Sequence, residues 1–142
     1  MKPLAILGWR EWVSLPDLEI ERIKCKIDTG ARTSALHAFY IEADNNKNLV
    51  TFDIHPLQQR NDIQRHCVAP IHDRRIVTDS GGHREKRYVI ETTIVLNNTS
   101  WPIELTLTDR DTMRFPMLLG RTAINKRFMV NPAASYLAGK PV

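Results

Sequence analysis

No stretch of this chain carries a sustained helical stripe. Instead, β-branched and aromatic residues gather in short runs separated by Pro, Gly, Asn and Asp, a pattern that restricts the fold to a mostly β barrel or sandwich. Candidate strands cover 5–13, 20–27, 38–42, 49–54, 64–70, 75–79, 86–96 and 101–107. The intervening runs Asp44 to Asn48, Asp79-Ser80-Gly81-Gly82 and Asn97-Asn98-Thr99 have the chemistry of hairpin tips, because Gly and Asn accept positive φ at little cost. A short helix is expected at 121–125, after Gly120, with Asn131-Pro132 ending whatever follows it. The segment 135–138 reads as one more short strand. With 142 residues, 42% of them apolar, and neither repeat nor linker, the chain reads as a single domain over 1–142.

Charge and cysteine usage narrow the setting. Twenty Lys and Arg against sixteen Asp and Glu leave a net charge of +4, a mild basic bias that suits an acidic partner and does not by itself indicate nucleic acid. Trp9, Trp12 and Trp101 are not interleaved with basic residues as stacking platforms would be. Cys25 and Cys67 lack a paired spacing and read as reduced thiols. The apolar run from Leu4 to Trp9 is too short for a signal-peptide core and is broken by Arg10 and Glu11, so the expectation is a soluble cytoplasmic protein with no membrane partner.

The run Lys26-Ile27-Asp28-Thr29-Gly30-Ala31 is the chemical centre of the sequence. Carboxylate hydrolysis of peptides uses two carboxyl groups sharing one proton: the ionised one activates water while the protonated one polarises the carbonyl. Small residues beside Asp28 let backbones approach, Gly30 can aim its amide at the carboxylate, and the Thr29 hydroxyl can lock two such loops across a two-fold axis. By itself the tripeptide is also an ordinary turn. What lifts it above that is Met117-Leu118-Leu119-Gly120-Arg121, some ninety residues on, whose apolar pair and Gly suit a strand threading beneath the Asp28 loop.

These elements resemble the retropepsin-like aspartic peptidases, and more closely the bacterial family catalogued as putative ATP-dependent zinc proteases. The likeness spans nearly the whole chain and includes Leu7-Gly8-Trp9-Arg10-Glu11, the continuation from Gly30 to Ala38, and Leu118-Leu119-Gly120-Arg121. It implies a closed or partly closed β-barrel with a flap hairpin and one short helix. It also implies one catalytic Asp per chain, hence a homodimer, with Asp28, Thr29 and Gly30 forming the catalytic loop. Substrate would contact Ala31, Arg32, Arg121 and the flap tip Ser80, Gly81 and Gly82. Asp79-Ser80-Gly81 is an accepted variant of the catalytic tripeptide, but one domain with one apolar-apolar-Gly element leaves no second lobe for it, so it reads as flap.

Neither zinc nor ATP is expected as a cofactor. The five histidines are scattered, with His66-Cys67 and His72 the only local grouping, and there is no Gly-rich run ending in Lys-Ser or Lys-Thr to cradle phosphates. Retroviral relatives carry an acidic residue where this chain has Arg32, so Arg32 and Arg121 together favour a carboxylate from the substrate. Arg74, Arg75, Arg84, Arg87 and Arg114 flank the same region, although any one of them is more simply read as a surface residue paired to Glu85, Asp109 or Asp111. The resemblance also carries a link to glutamate tails added by an ATP-grasp ligase. The expected function is therefore a homodimeric aspartic endopeptidase acting on acidic peptides. The alternative is a module that holds such peptides without cutting them.

Overall fold

Alternation of apolar and polar residues at 49–54 produces a strand with one face in the core: Val50, Phe52 and Ile54 are fully buried while Leu49, Thr51 and Asp53 lie between core and solvent. The same logic runs through a computed structural model that describes residues 3–56, 64–78, 81–109 and 114–139. Twelve strands occur among them. They are β1 (Ala5–Leu7), β2 (Arg10–Leu15), β3 (Ile20–Asp28), β4 (Ser34–His37), β5 (Phe39–Asp44), β6 (Leu49–Ile54), β7 (Arg65–Pro70), β8 (Asp73–Thr78), β9 (Arg84–Leu96), β10 (Thr99–Thr108), β11 (Met117–Gly120) and β12 (Phe128–Val130). A short α-helix, α1 (Arg121–Ile124), follows Gly120 directly.

Six strands close into a ring in the order β10-β4-β11-β3-β2-β9, with β9 returning to β10. The β9–β10 seam is a long antiparallel ladder turned by Asn97 and Asn98, both at positive φ as a tight hairpin requires. The β2–β9 seam is thin, with the single pair Ser14 and Val95, so the barrel is only partly closed there. What holds the ring is its filling. Leu15, Ile23, Leu36, Ile94, Leu105, Leu107 and Met117 come from six different strands and are at most 2% exposed. Full burial of a side chain of this size is worth about 1.5–3 kcal/mol, more than the few ladder bonds missing at the thin seam.

Strand β8 continues the sheet outward from β9 as an antiparallel hairpin, with Thr78 opposite Arg84, and this is the predicted flap. Strands β5, β6 and β7 form a separate three-stranded sheet, and β1 pairs in parallel with β12. Three sequence expectations are corrected. The 5–13 run breaks into β1 and β2 at Gly8 and Trp9. Ser34–His37 is a strand of its own, and the predicted strand at 135–138 is absent. Tyr136 takes a positive φ of 56°, and the segment makes isolated bonds to its neighbours rather than a ladder. No helix among the described residues is long and apolar enough to cross a membrane.

Candidate active site

Asp28 is the last residue of β3, and the chain leaves the sheet immediately after it through the exposed Thr29 and Gly30. Strand β11 runs parallel to β3 with Gly120 opposite Asp28, and antiparallel to β4 on its other side. The 29–33 loop therefore has to cross the end of β11. The crossing is tight: a Cβ on Gly120 would stand 2.6 Å from the Thr33 carbonyl carbon and 3.0 Å from the Arg32 oxygen. Only glycine fits, which gives the apolar-apolar-Gly element its physical meaning.

Hydrogen bonds fix both sides of this crossing. Arg121 N–H donates to the Ala31 carbonyl at 2.8 Å, and Thr122 donates to the Arg32 carbonyl from its backbone at 3.2 Å and from its hydroxyl at 2.7 Å. The Gly120 amide donates to the buried Ser34 hydroxyl at 3.0 Å. The Arg121 guanidinium reaches back to the Gly30 carbonyl at 3.1 Å. Within the loop, Gly30 N–H donates to Asp28 Oδ1 at 3.1 Å and Ala31 N–H to the Asp28 carbonyl at 3.2 Å. Among the described residues Gly30 is the sole donor to the Asp28 carboxylate, so the second oxygen is left for water or another carboxyl group.

Asp28, Thr29, Gly30, Ala31, Arg32 and Arg121 thus lie around one strand crossing. Arg32 shares the crossing through its backbone; its side chain is exposed and has no ion-pair partner among the described residues. Thr29 opens onto a groove of about 610 Å³ that runs past Arg121 and Thr122 to Phe128, Val130 and Pro132. Gly81 and Gly82 sit at the exposed tip of the β8–β9 hairpin, and Ser80 lies outside the described residues.

Sequence reasoning missed the polar chain beneath the loop. Arg87 is only 8% exposed, donates from Nε to Glu85 at 2.9 Å, and donates from Nη1 to the Thr106 hydroxyl at 3.3 Å. Thr106 in turn donates to the Ser34 carbonyl at 3.0 Å, so the base of the hairpin is tied to the strand that follows the Asp28 loop. Nothing in the local sequence distinguishes Arg87 from its surface neighbours. Of the flanking arginines, Arg87 is neutralised by Glu85, and Arg75 by a bidentate bond to Glu104 (2.8 and 2.6 Å) with Asp73 at 2.6 Å. Hydrogen bonding to Arg75 holds the Glu104 carboxyl below the usual range.

The histidine and cysteine grouping separates. His66 Nδ1 lies 2.6 Å from Asp53, His72 Nε2 lies 3.1 Å from Glu104, and Cys67 turns into the core. Among the described residues no set of three His, Cys, Asp or Glu side chains converges as a metal would need.

The chain is 41% identical over 137 residues to a probable alpha-L-glutamate ligase of Shewanella pealeana, and 43% identical over 138 residues to one of Desulfotalea psychrophila. Each match covers 95% of this chain but only 30% of the relative, so the chain spans under a third of the length of these curated relatives. A crystal structure of a Legionella pneumophila protein of unknown function superposes with a TM-score of 0.77 at 27% identity, covering 94% of this chain and 98% of that one. Residues 6–141 match the RimB-like family, described as retropepsin-like aspartic endopeptidase RimB, and the chain belongs to that family.

Proposed function

We propose that the chain is an aspartic endopeptidase whose active site is completed when two copies set their Asp28 carboxyl groups side by side. The observation that carries this reading is the Asp28 loop itself: one carboxylate oxygen holds the Gly30 amide while the other has no donor among the described residues. Two carboxyl groups about 3 Å apart cannot both ionise, so one proton is shared between them. The ionised Asp28 takes a proton from water as the water oxygen attacks the peptide carbon. The protonated one gives its proton to the carbonyl oxygen, and collapse of the tetrahedral intermediate expels the amine, which takes up a proton.

One chain supplies one such loop, since among the described residues the ring contains a single crossing strand, β11, and it meets the Asp28 loop; Asp79 lies outside the described residues. Thr29 is exposed beside the carboxylate, and on the β1–β12 pair Ile6 and Met129 lie opposite each other with more than half of each side chain exposed, surfaces suited to a second copy.

For the substrate we favour glutamate-rich peptides or tails. Proteins named as probable alpha-L-glutamate ligases contain a region similar to this chain, which suggests that making and removing glutamate extensions are linked tasks. The exposed Arg32 and the face of the flap that carries Arg74, Arg84 and Lys86, all three exposed, would meet such a substrate with positive charge. Incubation with poly-glutamate and with neutral peptides, for wild type and Asp28→Asn, tests the reading. Wild type should cleave the glutamate peptide faster, and Asp28→Asn should cleave neither. Equal cleavage of both peptides removes the acidic preference, unchanged turnover by Asp28→Asn removes the mechanism, and tight binding without cleavage by wild type favours a holding module.

A further inference from the structure

Glu11 is fully buried, and its carboxyl group accepts from three backbone donors: Gly8 N–H at 2.6 Å, Leu137 N–H at 3.0 Å and Ala138 N–H at 3.1 Å. Two of these come from the far end of the chain. The segment 131–139 is laid across the β1–β2 connection, with Asn131 N–H donating to Leu7, Trp9 N–H to Ala134 and Tyr136 N–H to Arg10. Contact is so close that a Cβ on Gly8 would run into the Ala134 carbonyl. From outside, the Arg10 guanidinium lies between the Trp9 and Tyr136 rings, 4.7 and 5.0 Å from their centroids, and donates to the Ser135 hydroxyl.

The strap continues to the reacting loop through one residue. Trp9 gives its amide to Ala134 and accepts the Ile27 amide on its own carbonyl at 2.8 Å, and Ile27 is bonded to Asp28. The Trp9 ring also meets Phe115, just ahead of β11, edge to face at 5.7 Å. The geometry points to Glu11 as a positioning residue: by clamping segment 131–139 against Gly8 and Trp9, it sets the height and angle at which β3 presents Asp28. This inference rests on the peptidase reading for its catalytic consequence, and on the fold alone for its structural one.

Glu11→Gln is the direct test in the full chain. An amide has one acceptor oxygen, so it cannot serve donors converging on both carboxylate oxygens, and at least one backbone N–H loses its partner. Hydrogen exchange at Leu137 and Ala138 should rise at least tenfold, about 1.4 kcal/mol, and exchange at Ile27 should rise with it, while Ile94 and Leu105 in the β9–β10 ladder stay protected. In turnover, kcat should fall at least tenfold with KM within about twofold. The two limbs of the pH profile should move toward each other, because displaced carboxyl groups share their proton less tightly. A merely structural role would lower the active fraction without moving the limbs.

Opening of the strap amides with Ile27 still protected and the limbs unmoved would overturn the inference. If the wild type cleaves no peptide, the peptidase reading fails, and the Ile27 exchange alone decides the role of Glu11. Should Glu11→Gln lose protection everywhere, Arg10→Ala, which removes only the outer clamp, should raise exchange at Tyr136 and Ile27 together, and a rise at Tyr136 alone would refute the coupling.

Discussion

Substituting Gly120 by Ala isolates the strand crossing beneath Asp28. The added methyl would sit 2.6 Å from the Thr33 carbonyl carbon, 2.8 Å from its oxygen and 3.0 Å from the Arg32 oxygen, all backbone atoms that cannot rotate aside. Overpacking of this kind usually destabilises by about 1–3 kcal/mol. Relief requires lifting the loop from β11, which weakens the Arg121 to Ala31 and Thr122 to Arg32 backbone bonds, each worth about 1 kcal/mol net. The expected loss is therefore about 3 kcal/mol, large against the 5–15 kcal/mol of a typical domain yet short of unfolding it. Urea denaturation followed by tryptophan fluorescence should show the midpoint fall at unchanged m-value, and the Arg121 and Thr122 amides should exchange faster than those of β9. A loss below about 0.5 kcal/mol would mean that the crossing yields readily, and the account of why glycine occupies this position would be wrong.

Further expectations follow from neighbouring features. Gly30→Ala meets only the Asp28 Oδ1 atom, at 3.3 Å, so stability should change by less than about 1 kcal/mol while peptide turnover drops at least tenfold, because the carboxylate itself must move. Burial is the main force raising both thiol pKa values, that of Cys67 to about 11 and that of Cys25 further with the Glu11 carboxylate adding to it. Neither should react with a thiol reagent at pH 8 in the folded protein, and prompt labelling would contradict their burial. Glu104 is held below its ordinary pKa by Arg75, so the stabilisation it gives is present above about pH 4 and is lost as pH falls through the lowered folded value. Arg75→Met should destabilise by about 1 kcal/mol at pH 7, the pair being partly solvated, and by almost nothing near pH 2; a pH-independent loss would place the effect in packing instead.

The sequence disclosed those features whose physics is local. Asn97 and Asn98 announced a hairpin because positive φ needs such residues, and Gly120 marked a close backbone approach that the structure contains. Ser34–His37 was hidden because three consecutive residues are buried there, between β10 and β11, and no alternation signals a strand. Strand β12 pairs in parallel with β1 across more than a hundred residues, and such pairing leaves no local trace. At the site, the Asp28 loop could be read from its small residues, whereas Glu11 and Arg87 could not. A charged residue in a strand is ordinarily at the surface, and only partners contributed by distant segments, such as Leu137 and Thr106, account for burying these two.

The central claim, that two chains share one dyad, is tested most directly by subunit mixing. Wild type and Asp28→Asn chains are combined in equal amounts, allowed to exchange fully, and assayed for glutamate-peptide cleavage at fixed total protein. A shared site requires both carboxyl groups, so activity should fall to about one quarter of the all-wild-type value. A fall to only about one half would mean that each chain acts alone, and would contradict the account.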